Sequence, residues 1–489
     1  MSRQSFQILV LCVAAFILAA AMAWGVQGGM PQLEDEQANL FQAKVFASGH
    51  ITAPEPVHPE AFVIPFIVHQ NGHVFGKYPP GYPLLLAIGE VIDRGWIINA
   101  LASALVVLGV YLLGRDLFNH DTGLLAAALG AISPMAFMLS GTLLAHTTAM
   151  AELIFFAWGW VRARRVAERH PMRFAVLAGL AIGWATITRP YTSVVIAVPF
   201  IVVTLHDLYN HPRDHWRTYG ALVLVALGVM VIWPVYNFIA TGSPTTNTYT
   251  LWWPYDKVGF GPGYGLIPSG HTWDFALLNF SYDFPDLGVT LFGWPTVLGL
   301  ALSWVPIALG LAWPDHDRRD WALMLLPMLL VAAHLAYWAR ASSLYGPRYY
   351  AEGLPFLWLL GARGLMKFGA TPWPRRVIKI ALPILIAYSL VFTIEPRFLE
   401  AFDRYRAQRA HVDYIAAARL RNALVLVRAS VWSDYASLAW QNAPQVERGN
   451  IIFAIDYGPN ITAQLATAYP GRKVYYYDRT QSVPLVAGR

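Results

Sequence analysis
The feature that constrains this chain most is the recurrence of apolar runs as long as a bilayer is thick. About 20 consecutive apolar residues carry a helix across the hydrocarbon core. Runs of that order stand near residues 6–26, 96–113, 122–140, 143–160, 174–188, 190–206, 219–239, 288–312, 321–338, 351–366 and 377–394. Hydrophobic residues make up 56 % of the 489 and charged ones only 13 %, too greasy a balance for a water-soluble surface. The expected fold class is a polytopic α-helical membrane protein with about eleven transmembrane helices. Residues 81–92, GYPLLLAIGEVI, are too few to cross and read as a re-entrant or interfacial piece. The small residues of LAAAMA leave a cleaved signal peptide as the alternative for the first run, with the other spans unmoved.

Charge sets the expected orientation. Residues 161–173 hold five arginines and one glutamate, and 363–379 hold five basic residues and no acid. The opposite connection, 27–80, has five Asp/Glu against two Lys. Basic loops face the cytoplasm, so the N-terminus is expected inside and 27–80 outside. The net charge of +6 is then a topology signal, and nucleic acid is not an expected partner. The single cysteine, Cys12, lies in the first run, where no intramolecular disulfide is possible. The expected location is the plasma (inner) membrane of a bacterium.

Residues 1–394 read as the membrane domain, with a first outer loop at 27–80 and a second at 240–287. Residues 395–489 read as a small soluble α/β domain on the outer face. In it NALVLV, NIIFAI and KVYYY are strands, ITAQLATAY is a helix, and DYGPN is a strand-to-helix turn. Outer-face loops are expected to carry interfacial helices.

Candidate chemistry gathers in those loops. DEQANLFQAKVFASG, opening on Asp35 and Glu36, has the spacing of a helix with one apolar face along the membrane surface. Carboxylates at its start suit the helix dipole, which is reason enough for an acidic cap. GKYPPGYPLLLA places Lys77 and Tyr78 before two stiffening prolines, a fixed cation at headgroup depth that suits a lipid phosphate or simply snorkels. LYGPRYYAEGLPF puts Arg348 at the outer surface beside Tyr345, against the charge bias, for anion pairing or for anchoring in an aromatic belt. Arg189 in TITRPY interrupts two apolar runs at the same level. Trp252, Trp253, Tyr255, Phe260 and Tyr264 offer flat faces to a sugar, or form an interfacial belt. His50, His58, His69 and His73 share the first loop without the spacing of a helical zinc pair, so no metal is demanded.

In order along the chain, these elements resemble the GT-C superfamily of membrane glycosyltransferases. The nearest likeness is to the branch of protein O-mannosyltransferases and the lipid A aminoarabinose transferase. The carrying residues are the "DE" of Asp35 and Glu36 after the first span, KYPPGYPLLLA, YNFIATGSPTTNTY and GPRYYAEGLPF. The resemblance covers roughly residues 6–394. It implies an inverting glycosyltransferase that moves a sugar (hexosyl or pentosyl) from a polyprenyl-phosphate carrier to a hydroxyl acceptor of protein, lipid or wall glycan. It implies Asp35, with Glu36 beside it, as the base or acceptor-orienting group. Lys77 and Arg348 fall to the carrier phosphate, with Tyr345 and Arg189 as further contacts. Tyr78, His146, Trp253 and Tyr255 are the expected sugar or acceptor contacts. No cofactor is implied beyond the lipid-linked donor. One departure stands out: GTLLAHTTAMAEL carries His146 where many relatives carry an aspartate, which puts a second acidic group in doubt. The competing readings are a lipid-linked-glycan flippase, which needs inverted repeats and midplane polar groups, and an oligosaccharide ligase.

Overall fold
The computed structural model describes residues 2–165, 167–312 and 317–488. Among the described residues six helices are long and apolar enough to cross a membrane, or seven if one bent pair counts as a single span, against the eleven expected. The chain is an integral membrane protein, mostly helical.

Most apolar runs form helices, and the departures have local causes. The run at 122–140 splits into His120–Ala131 and Pro134–Ser140, bent by 61° where Pro134 denies a helical donor and disfavours helix in the residue before it. The run at 288–312 is not one span. Helix Trp273–Phe292 stops at Gly293, φ 75°, a two-residue hairpin follows, and helix Trp304–Ala312 has only nine residues. Pro295 and a left-handed Gly299 in GWPTVLG make that interruption. The short piece at 81–92 forms helix Gly81–Glu90, which packs on helices Glu34–Ala47 and Pro171–Thr188. The last apolar run does not end at 394. It continues as one helix, Pro372–Ala417, of 46 residues.

Beyond that helix lies a four-stranded sheet, in the order 485–487, 473–477, 423–427, 451–455. Its three longer strands are parallel, as buried runs joined by helices must be. DYGPN makes the turn into helix Pro459–Ala468: Asp456 Oδ1 accepts the Gly458 N–H at 2.9 Å, and Gly458 sits at φ 93°. The first loop forms a three-stranded sheet, 53–54, 73–76 and 67–70.

Helix Glu34–Ala47 departs from the one-sided surface helix its apolar residues suggest. It is enclosed on two sides, and Gln37, Asn39 and Gln42 are buried with partners. Asn39 donates to Leu143 O on the membrane-helix side at 3.3 Å, and Gln37 donates to Ala436 O of the C-terminal unit at 3.1 Å. Lys44 reaches Trp440 O at 2.6 Å. Each amide or amine replaces water with a fixed carbonyl, so burial carries no orphaned donor at these positions.

Candidate active site
The first turn of helix Glu34–Ala47 carries Glu34, Asp35 and Glu36, and their charge favours a helix start. Asp35 turns its carboxylate, 22 % exposed, into a cavity of about 940 Å³. Tyr78 donates its hydroxyl to Asp35 Oδ1 at 2.5 Å, and Arg348 Nη2 approaches Oδ2 at 3.4 Å. Burial works against the charged carboxylate, but Arg348, Lys77 and the Tyr78 hydroxyl outweigh it and hold Asp35 below the usual range. Asp35 is therefore anionic at neutral pH.

Lys77 leaves the strand His73–Gly76 with its backbone fixed on both sides. Its N–H donates to Phe66 O at 2.9 Å, and Thr248 Oγ1 donates to its carbonyl at 2.6 Å. Gly76 just before it donates its N–H to Gln42 Oε1 and accepts the Tyr236 hydroxyl at its carbonyl. The ammonium meets Asp256 Oδ2 at 3.0 Å and lies 3.5 Å from the centre of the Phe66 ring. Burial lowers its pKa, and Asp256, ahead of Asp35, pushes back without restoring it.

Arg348 opens a 3₁₀ turn, Arg348–Gly353, after the hairpin of 342–343 and 346–347. Its N–H donates to Ala341 O at 3.1 Å. Its Nη1 is buried and finds no partner among the described residues. The Arg348 side chain also lines the cavity, and a guanidinium there suits an anion. Arg189 also lines the cavity, with Nε 2.9 Å from Glu352 Oε1.

Of the ten residues given a role as catalytic, phosphate, sugar or acceptor contacts, Asp35, Lys77, Tyr78, Arg189, Arg348 and Trp253 line this one cavity. Four do not. Glu36 is fully buried beneath the turn, where Oε2 accepts the Gln32 N–H at 3.1 Å. His146 lies behind Arg189, its Nδ1 3.1 Å from Glu352. Tyr345 packs in the helical core. Tyr255 stacks on Trp253, ring centres 5.6 Å apart, and presents Trp253 to the cavity in its place. Asp256, the one acid in LWWPYDKVGFGPGYG, and Tyr337 are absent from the sequence expectations; they line the same space with Tyr249, which closes the motif YNFIATGSPTTNTY, and Tyr349, which flanks Arg348. An acid alone among aromatics was the available signal for Asp256. Among the described residues no group of three or more His, Cys, Asp or Glu side chains is placed to hold a metal ion.

Burial raises the Glu36 pKa from 4.5 to about 8, so it is mostly protonated at pH 7. A carboxyl raised on folding binds its proton more tightly in the native state, so stability falls as pH climbs from 4.5 toward 8. Glu36→Gln has no proton to lose. Thermal unfolding from pH 4.5 to 8 is expected to show the variant gaining on the wild-type protein as pH rises.

Residues 77–238 match the family model described as dolichyl-phosphate-mannose-protein mannosyltransferase. Among solved structures, ArnT from Cupriavidus metallidurans bound to undecaprenyl phosphate aligns with a TM-score of 0.61 at 12 % identity, over 97 % of this chain and 94 % of that one. The apo form of the same protein aligns with a TM-score of 0.60 at 13 % identity, over 97 % and 94 %. The archaeal oligosaccharyltransferase AglB from Archaeoglobus fulgidus, in complex with an inhibitory peptide and a dolichol-phosphate, gives 0.50 at 13 %, over 98 % of this chain and 70 % of that one. No curated protein sequence matches the chain. The family match, over about a third of the chain, and the likeness of fold together support a membrane glycosyltransferase of the GT-C superfamily. The family match lies within residues 77–238, and the likeness to ArnT is one of fold over nearly the whole chain.

Proposed function
We propose that this protein transfers a sugar from a polyprenyl monophosphate carrier to a hydroxyl acceptor, with inversion at the anomeric carbon. The observation that carries the reading is the meeting of one ionised carboxylate, Asp35, with Lys77 and Arg348 on the wall of a single cavity. The leaving phosphate is already a stable anion and needs positive charge more than a proton. Lys77 and Arg348 supply that charge where water is partly excluded and their fields are strong. Arg189 adds a third cation.

The acceptor hydroxyl gives its proton to Asp35 as its oxygen bonds to the anomeric carbon. The bond from that carbon to the phosphate oxygen breaks, and polyprenyl phosphate leaves with the electron pair. One base and a direct displacement invert the centre, unlike the double displacement of a two-carboxylate retaining glycosidase. The long Arg348–Asp35 contact suits an exchange: an arriving phosphate draws the guanidinium and leaves Oδ2 free to accept the hydroxyl proton. Tyr78 then holds the other oxygen in place. We take the displacement to need no metal, and we place the cavity on the non-cytoplasmic side, where the acidic first loop lies.

The test is transfer itself. Purified protein in liposomes is offered radiolabelled sugars on undecaprenyl monophosphate, with membrane lipid, wall glycan and protein fractions as acceptors. Label is expected to move to one fraction and to release undecaprenyl phosphate. Movement of intact lipid-linked sugar across the bilayer with no transfer would instead support the flippase reading.

A further inference from the structure
We infer that Asp256 is a positioning residue: it keeps the Lys77 ammonium charged and aimed at the place where the carrier phosphate is bound. The inference rests on the reading of Lys77 given above. The two side chains are 3 % and 1 % exposed, their contact is 3.0 Å, and they come from loops far apart in the chain. The carboxylate is itself fixed. Its Oδ1 accepts the Tyr337 hydroxyl at 2.7 Å and the Trp338 indole N–H at 3.2 Å, leaving Oδ2 for Lys77. Three donors on two oxygens leave Asp256 poorly placed to take a substrate proton, so its part is played through Lys77.

The rest of the ammonium's surroundings are rings. Phe66 lies 3.5 Å away, Trp253 5.1 Å, Tyr78 5.2 Å and Tyr249 5.4 Å, measured to ring centres. Phe66 reaches this position from a backbone at φ 69°, a left-handed conformation strained for a bulky residue, which marks a place where the fold imposes geometry. Ring faces attract a cation but fix its direction poorly. Of the charged groups facing Lys77, Asp256 comes from the second loop, Glu34 and Asp35 from helix Glu34–Ala47 and Arg348 from the 3₁₀ turn. Asp35 is engaged by Tyr78 and Arg348, and Arg348 repels. Asp256 is therefore the one carboxylate in contact with the ammonium among the described residues. Without it, a lysine this buried loses its proton at lower pH and its head is no longer held in one direction.

A merely structural Asp256, tying the second loop to Tyr337 and Trp338, predicts a change in stability alone. Two readouts on the full-length protein in detergent separate the cases. The first is acetylation of Lys77 by acetic anhydride across pH, followed by mass spectrometry, which needs no ligand. The second is binding of undecaprenyl phosphate across the same range. In Asp256→Asn, Lys77 is expected to become reactive about one pH unit lower or more. Carrier affinity at pH 8 is expected to fall about tenfold, and its alkaline loss to move down with the lysine. Asp256→Glu keeps the charge but displaces it by a methylene, so Lys77 reactivity returns to the wild-type range while affinity stays reduced. A folded Asp256→Asn in which Lys77 reacts and the carrier binds as in the wild type overturns the inference. If Asp256→Asn does not fold, wild-type affinity in Asp256→Glu overturns it equally. A shifted Lys77 in a protein that binds no undecaprenyl phosphate upholds the role of Asp256 and removes the carrier reading instead.

Discussion

Asp35→Asn is expected to lower the transfer rate by about 10²- to 10⁴-fold, the usual contribution of a positioned general base. The substitution keeps the shape and the capacity to accept from Tyr78, so it removes charge and basicity with little else. Carrier affinity is expected to hold or to rise slightly, because an anion beside the phosphate is gone and Arg348 is released to the ligand. The effect belongs in kcat, with binding of undecaprenyl phosphate measured separately on the same preparation. Unchanged turnover would remove Asp35 from the chemistry. A joint loss of turnover and carrier binding would move it to the phosphate site.

Lys77→Met is expected to be the most disruptive single change. It strands Asp256 as an unpaired buried carboxylate, and breaking a buried ion pair from one side costs about 3–5 kcal/mol. Methionine fills most of the volume, so the loss reports the charge. The double variant Lys77→Met/Asp256→Asn is expected to recover most of that stability, since neither charge is then left alone. It is not expected to recover carrier binding. Removing one charge-assisted contact of about 1.5–3 kcal/mol weakens binding by about 10- to 150-fold. Thermal unfolding and undecaprenyl phosphate titration of the two variants test both halves. Stability that stays low in the double variant would show that the pair is not the origin of the loss.

What the sequence disclosed follows the range of the forces involved. Apolar runs and short cationic motifs are local, and they led to the helices and to Asp35, Lys77, Tyr78 and Arg348. The second loop was visible as an aromatic stretch, yet Asp256 gained its meaning only through Lys77, with 178 residues between them. Glu36 looks like the twin of Asp35 in sequence. One helical position turns it by about 100°, from the cavity wall into a dry interior, and so separates an ionised acid from a mostly neutral one. Helix Glu34–Ala47 was read as one-sided because an apolar count does not register buried amides. Gln37 and Asn39 look solvent-facing until Ala436 and Leu143 are seen to supply their acceptors. The break at 293–303 was marked by Gly-Trp-Pro, a signal that a hydropathy window averages away.

The helix Pro372–Ala417, continuous through a π-helical stretch at Ser389–Ile394, spans roughly 70 Å at about 1.5 Å per residue, more than twice the thickness of a hydrocarbon core. Its far end meets the C-terminal unit, and that unit grips the helix bearing Asp35 at Gln37 and Lys44. Membrane helices lean to match the thickness of the lipid around them. A lever of this length magnifies a small lean into a larger sideways displacement at the C-terminal unit, which holds the helix bearing Asp35.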